Sequence, residues 1–222
     1  MPERFLLTGG SGGIGSAVAR RLAGAGYRPL VGYARNQAAA VDVAQSCGGV
    51  ALAIDLCRDD AIDTAIRCIA EGEIPLAGIV LAASPPPVLG PFGRIEPTDM
   101  RLQWQVNVMG PQRLLAGLIK QCLRPRRSGS VVGVLSAAMG DAHHPASAGM
   151  GAYVVAKHGL AGLLAVVGAE YPWLRVRMVR PGFTATPMLT AFDQRFLAAQ
   201  AIQTADAAAA NIVAHILEEV RA

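Results

Sequence analysis

Little in this chain points to a metal, a membrane or a nucleic acid. Its four cysteines, Cys47, Cys57, Cys68 and Cys122, form no C-x-x-C pair and have no histidine at metal-ligand spacing, which argues against zinc sites and disulfide frameworks. They read as small buried hydrophobes of a reducing compartment. No stretch reaches the unbroken apolar length that spans a bilayer, and glycine breaks the apolar run behind Met1-Pro2-Glu3-Arg4 too early for a signal peptide. A cytoplasmic protein with no membrane partner is expected. Charged residues are scarce, 16% against 52% hydrophobic, so the chain is too apolar for disorder. The net charge of +4 is scattered apart from Arg124, Arg126 and Arg127. No groove-reading motif accompanies that cluster, so no nucleic-acid partner is expected.

What is present is an alternation of short apolar runs with longer helical stretches, and 222 residues suit one domain over 1–222. Strands are expected near Phe5 to Thr8, Leu30 to Tyr33, Val50 to Ile54, Gly78 to Ala82, Val131 to Leu135 and Val176 to Val179. Helices are expected over Ile14 to Ala25, Gln37 to Ser46, Asp59 to Glu71, Thr98 to Leu123, Gly159 to Tyr171 with an earlier start, and Thr204 to Val220. Such a sequence of βαβ units predicts an α/β fold, a doubly wound and mostly parallel six-stranded sheet with helices on both faces. Ligands of such sheets bind beyond the carboxyl ends of the strands.

Chemistry-bearing motifs fall at those ends. Thr8-Gly9-Gly10-Ser11-Gly12-Gly13-Ile14-Gly15 follows the first strand and opens a helix. Glycines there permit a tight turn and close approach, and the helix N-terminus offers free N–H groups to a pyrophosphate. No Gly-Lys-Ser/Thr follows, which argues against a nucleoside triphosphate and for a dinucleotide. The second strand ends in Ala34-Arg35-Asn36, with no carboxylate to repel a 2′-phosphate and a guanidinium to pair with it, so NADP(H) is favoured over NAD(H). A plain surface role for Arg35 is the alternative. Asp55-Leu56 holds an adenine edge or caps the next helix. Tyr153 and Lys157 stand one helical turn apart on one face, where a cation favours a phenolate.

These motifs in this order resemble the classical short-chain dehydrogenases/reductases over residues 4 to about 220. The glycine loop also fits the spacing of the extended branch, but the chain has no room for that branch's additional substrate region. The resemblance implies a Rossmann domain in which Tyr153 is the general acid or base and Lys157 lowers its pKa and bonds the nicotinamide ribose. It implies that Asn107 holds a relay water, with Gly110 and Pro111 distorting its helix. Gly9, Ser11, Gly12, Gly13, Ile14, Gly15, Asp55, Leu56, Ala82, Ala83, Pro181, Gly182, Phe183 and Thr186 would line the coenzyme, and no metal is implied.

Three features depart from that family's pattern. Leu81-Ala82-Ala83-Ser84-Pro85 stands where Asn-Asn-Ala-Gly is usual. Val134-Leu135-Ser136-Ala137 leaves open whether Ser136 or Ala137 occupies the catalytic serine position, because a shift of one residue turns a strand side chain to the other face; Ser147 or one of the paired histidines His143 and His144 is a substitute donor, with an exposed loop position the alternative for the histidines. No apolar run follows the last helix to supply the usual seventh strand. The helix from Gly159 to Val167 is apolar on every face and needs cover, which predicts a homodimer through the long helices. The reading is an NADP(H)-dependent oxidoreductase acting on a carbonyl or secondary alcohol of a small, partly apolar substrate. Pro91 to Gly93, Met188, Leu189, Phe192 and Phe196 would wall its site. The alternative is a nucleotide-binding sensor or scaffold without turnover.

Overall fold

The apolar runs form six strands in the computed structural model, which describes residues 2–218. They are β1 (Arg4–Thr8), β2 (Arg28–Tyr33), β3 (Val50–Ala53), β4 (Leu76–Leu81), β5 (Ser130–Val134) and β6 (Arg175–Val179). All pair in parallel in the order β3-β2-β1-β4-β5-β6. The helices are α1 (Gly13–Gly24), α2 (Gln37–Ser46), α3 (Asp59–Ala70), α4 (Pro97–Trp104), α5 (Gly110–Leu118), α6 (Gly151–Glu170), α7 (Gln194–Ala198) and α8 (Ala205–Leu217).

Alternate side chains of the central strands feed two cores. Leu7, Val31 and Val132 pack against α1, α2 and α8 through Val18, Leu22, Val43 and Ile212. Leu6, Ile79 and Val131 pack against α3, α5 and α6 through Ile62, Ile66, Leu114, Leu118 and Leu164. With both faces covered, β1 and β5 are buried along their whole length, which is why these runs carry no polar alternation. The order reverses between β1 and β4, and this switch point opens a crevice at their carboxyl ends. On the other side of the sheet β6 is an edge. No seventh strand pairs with it among the described residues, and Met178 is exposed there.

The stretch expected as one helix from Thr98 to Leu123 is instead four segments. Between α4 and α5 lies a π-helical turn, Gln105–Met109, and after α5 a second, Ile119–Leu123. The Gly110 N–H bonds back to the Gln105 carbonyl and the Arg124 N–H to the Ile119 carbonyl, five residues away in each case. Each is followed by a proline, Pro111 or Pro125, which has no N–H for the ordinary bond four residues back. Asn107 therefore sits inside a widened turn.

α6 begins at Gly151, eight residues before the stretch whose apolarity marked it. It is the one described helix long and apolar enough to cross a bilayer, contrary to the expectation that no such stretch exists. Its packing is that of a core helix: Leu160, Leu164 and Val167 are buried against the sheet. The far face is uncovered, with Val155 and Val166 exposed, and Leu102, Trp104 and Met109 are exposed on the neighbouring α4 and π-helical turn. The cysteines differ from expectation in their burial: Cys57 and Cys68 are exposed and none of the four is fully buried. Those two lie on outward positions around α3, where the inward ones are taken by Ile62, Ala65, Ile66 and Ile69. The final helix stops at Leu217; the expected end at Val220 lies outside the described residues.

Candidate active site

The glycine loop between β1 and α1 is shaped by close contacts. Gly9 has φ +65, and a Cβ there would meet the Ala83 Cα at 2.8 Å, so the loop lies on the backbone leaving β4. At Gly13 a Cβ would meet the Thr186 side chain at 2.4 Å, which brings the loop after β6 across the same crevice. Gly10 donates to the Gly32 carbonyl at 2.9 Å, tying the loop to β2. The N-terminus of α1 has no side-chain cap and no acidic residue in its first turn. Ser11 is half-buried and Gly12 is exposed at the mouth, with Ile14 on the wall of the adjoining cavity. Uncapped N–H groups, the partial positive charge of the helix end and a glycine cradle fit a pyrophosphate.

Arg35 is exposed just beyond β2, carries no ion pair among the described residues, and lies near enough to Cys57 to act on its thiol. Asp55 does not cap α3; its carboxylate accepts from the Cys57 N–H at 2.9 Å, an Asx turn, and the residue flanking α3 is Arg58. Leu56 is buried, and its carbonyl accepts from Gln105 Nε2 at 3.0 Å. Where side-chain amides are absent after β4, the Thr8 hydroxyl takes over. Its oxygen accepts from the Ala82 and Ala83 N–H groups, each at 3.2 Å, and holds the unusual loop on β1.

Tyr153 and Lys157 both lie on the buried face of α6. Lys157 Nζ donates to the Val134 carbonyl at 2.9 Å and stands 5.5 Å from the centroid of the Tyr153 ring. Ser136 lies just past β5, with its hydroxyl near enough to the Tyr153 hydroxyl to act on the phenol's titration. It also accepts from the Ala138 N–H at 3.2 Å. Ala137 opens a short 3-10 turn, Ala137–Met139, and is exposed. Of the two neighbours, Ser136 is the one that meets the phenol. The phenol does not take the low pKa that a nearby cation would give it. Burial pushes Tyr153 up, opposed by the neighbouring Ser136 hydroxyl. Burial lowers Lys157 from 10.5 to about 7. Desolvation is the leading cause for both groups, since each loses water on the buried face of α6.

Asn107 is fully buried, and its Nδ2 donates to the Gln103 carbonyl at 3.0 Å and to Gln103 Oε1 at 3.1 Å. Its Oδ1 is buried without a partner. Gln103, itself buried, donates from Nε2 to the Pro86 carbonyl at 2.9 Å and the Pro85 carbonyl at 3.3 Å. Gln103 and Thr8 were not singled out from the sequence. The available signal for Gln103 was its place one helical turn before Asn107, on the same face.

These groups border a cavity of about 370 Å³, lined by Ser136, Tyr153 and Lys157 on one side and by Pro181, Gly182, Phe183 and Thr186 on another. Met188, Leu189 and Phe192 also line it. Phe196 stands behind, stacked on Phe192 at 5.9 Å and edge-on to Phe183 at 5.6 Å. Pro91 to Gly93 do not reach the cavity. The Gly90 N–H bonds to the Gly149 carbonyl, and the following 3-10 turn carries Phe92 outward, 82% exposed; Ser84 and Pro87 line the cavity in their place. Ser147 lines it too, whereas His143 and His144 are exposed beside Asp141. Among the described residues no cluster could hold a metal ion.

A family model described as short chain dehydrogenase matches residues 3–196. The chain is 32% identical over 205 residues to the uncharacterized oxidoreductase YmfI of Bacillus subtilis, covering 86% of this chain and 79% of that one. It is 30% identical over 198 residues to the 3-oxoacyl-[acyl-carrier-protein] reductase of Bos taurus, covering 85% and 78%. Among solved structures, the 3-ketoacyl-(acyl-carrier-protein) reductase of Brucella melitensis in complex with NADH superposes with a TM-score of 0.85 over 96% of this chain and 89% of that chain. At 22% identity that likeness speaks for the fold.

The buried lysine gives stability a pH dependence of definite sign. Between about 7 and 10.5 the unfolded chain holds a proton that folded Lys157 has released, so stability rises with pH, by up to about 1.4 kcal/mol per unit. Tyr153 and the thiols of Cys47, Cys57 and Cys122, all raised, act in the opposite direction above about 9 to 10. A Lys157→Met variant isolates the lysine. In urea denaturation of the coenzyme-free protein its stability advantage over wild type is expected to be largest near pH 7 and to shrink toward pH 9.5. A difference independent of pH would show that Lys157 is solvated.

Proposed function

The chain belongs to the short chain dehydrogenase family and is an oxidoreductase of that type, and on this premise we propose that it transfers hydride between NADP(H) and a carbonyl or secondary alcohol. The observation that carries this reading is the buried Tyr153 phenol at the wall of a cavity, one turn from Lys157 and with Ser136 lining the same cavity. A bound nicotinamide would supply or accept the hydride. The α1 N-terminus and the cradle of Gly9, Gly13 and Gly15 would hold its pyrophosphate, and Arg35 would pair with a 2′-phosphate. Pro181, Gly182, Phe183 and Thr186 would bound the nicotinamide end.

In the reducing direction the Tyr153 phenol, whose pKa burial raises, keeps its proton at neutral pH and gives it to the carbonyl oxygen as hydride reaches the carbon. The Ser136 hydroxyl is placed to stabilise negative charge on that oxygen. Lys157, at about 7, exchanges protons near neutrality and can restore the phenol, with Asn107 Oδ1 accepting from a relay water. Among the described residues Lys157 is the one cationic side chain lining the cavity, and no carboxylate lines it. An uncharged, partly apolar substrate is therefore favoured, seated against Met150, Met188, Leu189 and Phe192. The alternative without turnover rested on Ala137 in the serine's place and on the altered loop at Ala82; Ser136 on the same cavity wall as Tyr153 speaks against the first, and the Thr8 hydroxyl that holds the loop speaks against the second.

The exposed apolar side chains Leu102, Trp104, Met109, Val155 and Val166, on elements that pack together, support a homodimer through the long helices. Wild type is expected to sediment as a dimer at micromolar concentration and Val166→Arg as a monomer; a monomeric wild type would remove this part of the proposal. NADPH consumption with a panel of uncharged ketones and aldehydes is expected to fall roughly 1,000-fold in Tyr153→Phe while NADPH still binds. A panel without turnover despite tight NADPH binding would count against the assignment. Arg35→Ala is expected to weaken NADPH about 10- to 100-fold and leave NADH nearly unchanged. Equal losses would show that Arg35 does not read the 2′-phosphate.

A further inference from the structure

Gln103 and Asn107 account for all four of their side-chain amide hydrogens. Both hydrogens on Gln103 Nε2 point to carbonyl oxygens, those of Pro85 and Pro86. A carbonyl can only accept, so the nitrogen end of Gln103 is fixed toward the proline loop and its oxygen end toward Asn107. That oxygen and the Gln103 backbone carbonyl take both hydrogens of Asn107 Nδ2. The one valence left over in the chain of amides is Asn107 Oδ1, buried and unpartnered. An acceptor left dry in this way is costly, and the widened turn at Gln105–Met109 holds it there. Gln103 also anchors Ser84-Pro85-Pro86-Pro87, a loop whose own side chains offer no amide to tie it down, and Ser84 and Pro87 line the cavity.

We propose that Gln103 is a positioning residue: it couples the proline loop on the cavity wall to Asn107 and fixes the Asn107 amide with its oxygen free for the proton relay. This rests on the relay role given to Asn107 above. Gln103→Leu removes both contacts, whereas Gln103→Glu keeps the acceptor facing Asn107 and, when protonated, one donor facing the prolines.

Three measurements test it. In the coenzyme-free protein the Asn107 side-chain NH₂ signals, identified by their loss in Asn107→Ala, should exchange slowly with solvent, and their protection should fall at least about 10-fold in Gln103→Leu. In turnover, Gln103→Leu should lower kcat roughly 10- to 100-fold with NADPH affinity retained, and Gln103→Glu should recover most of the rate at acidic pH and lose it as its carboxyl ionises. The double variant Gln103→Leu/Asn107→Ala should be no slower than Asn107→Ala alone, since one residue acts through the other. Unchanged NH₂ protection in Gln103→Leu overturns the proposal whether or not turnover is found. So does a Gln103→Leu enzyme with wild-type kcat and pH profile while Asn107→Ala is impaired. If Asn107→Ala is itself unimpaired, it is the relay reading that fails, and the positioning role fails with it.

Discussion

The site depends on a single buried hydrogen bond, from Lys157 on α6 to the Val134 carbonyl at the end of β5. An ammonium taken out of water must find an acceptor, and here the nearest is main chain. That requirement fixes how α6 is rotated against the sheet. Tyr153, one turn earlier, is then carried to Ser136, which follows Val134 in the chain by two residues. Gly133 makes the approach possible: a Cβ there would meet the Leu164 side chain at 2.2 Å, so a larger residue in β5 would push α6 away. Sheet packing and site geometry are the same constraint seen from two sides.

Polarity inside the protein is divided by the sheet's direction. Thr8, Gln103, Asn107, Lys157 and Thr184 are buried near the carboxyl ends of the strands, while Arg4 and Ser130 open β1 and β5 at the other end. At the carboxyl ends each buried polar group is bound to main chain: Thr8 to the loop after β4, Gln103 to the prolines, Lys157 to β5, Thr184 to the Gly182 carbonyl. Such bonds are costly to break because the partner left behind stays dry. Loops that would otherwise be loose are thereby held around a cavity. The desolvation that holds them also sets the titration of the site, keeping the phenol protonated and bringing the ammonium near neutrality.

The alternation of apolar runs and helical stretches was enough to give six parallel strands with helices on both faces, because each strand buried on two sides must be apolar at nearly every position. The glycine loop, Tyr153 and Lys157 were legible for a similar reason: a tight turn needs glycine, and a spacing of four puts two side chains on one helix face whatever else happens. Composition misjudged the cysteines, since Cys57 and Cys68 occupy outward positions that a tally of hydrophobes does not distinguish. The segment from Pro91 to Gly93 looked like a pocket wall by residue type, yet the bridge from Gly90 to Met150 turns it outward.

By itself, then, the order of residues determined the fold class, the place of the crevice and the helix face bearing the phenol and the ammonium, all of which follow from short-range periodicity and turn sterics. Only the tertiary structure decided that Ser136 rather than Ala137 meets Tyr153, because the choice turns on a one-residue register at the end of β5 set by the strands and helix packed around it. It alone revealed the amide chain from the proline loop through Gln103 to Asn107, whose members are 18 and 4 positions apart in sequence. It also reversed the expected effect on the phenol, since desolvation is a property of the packed environment that no spacing of residues encodes.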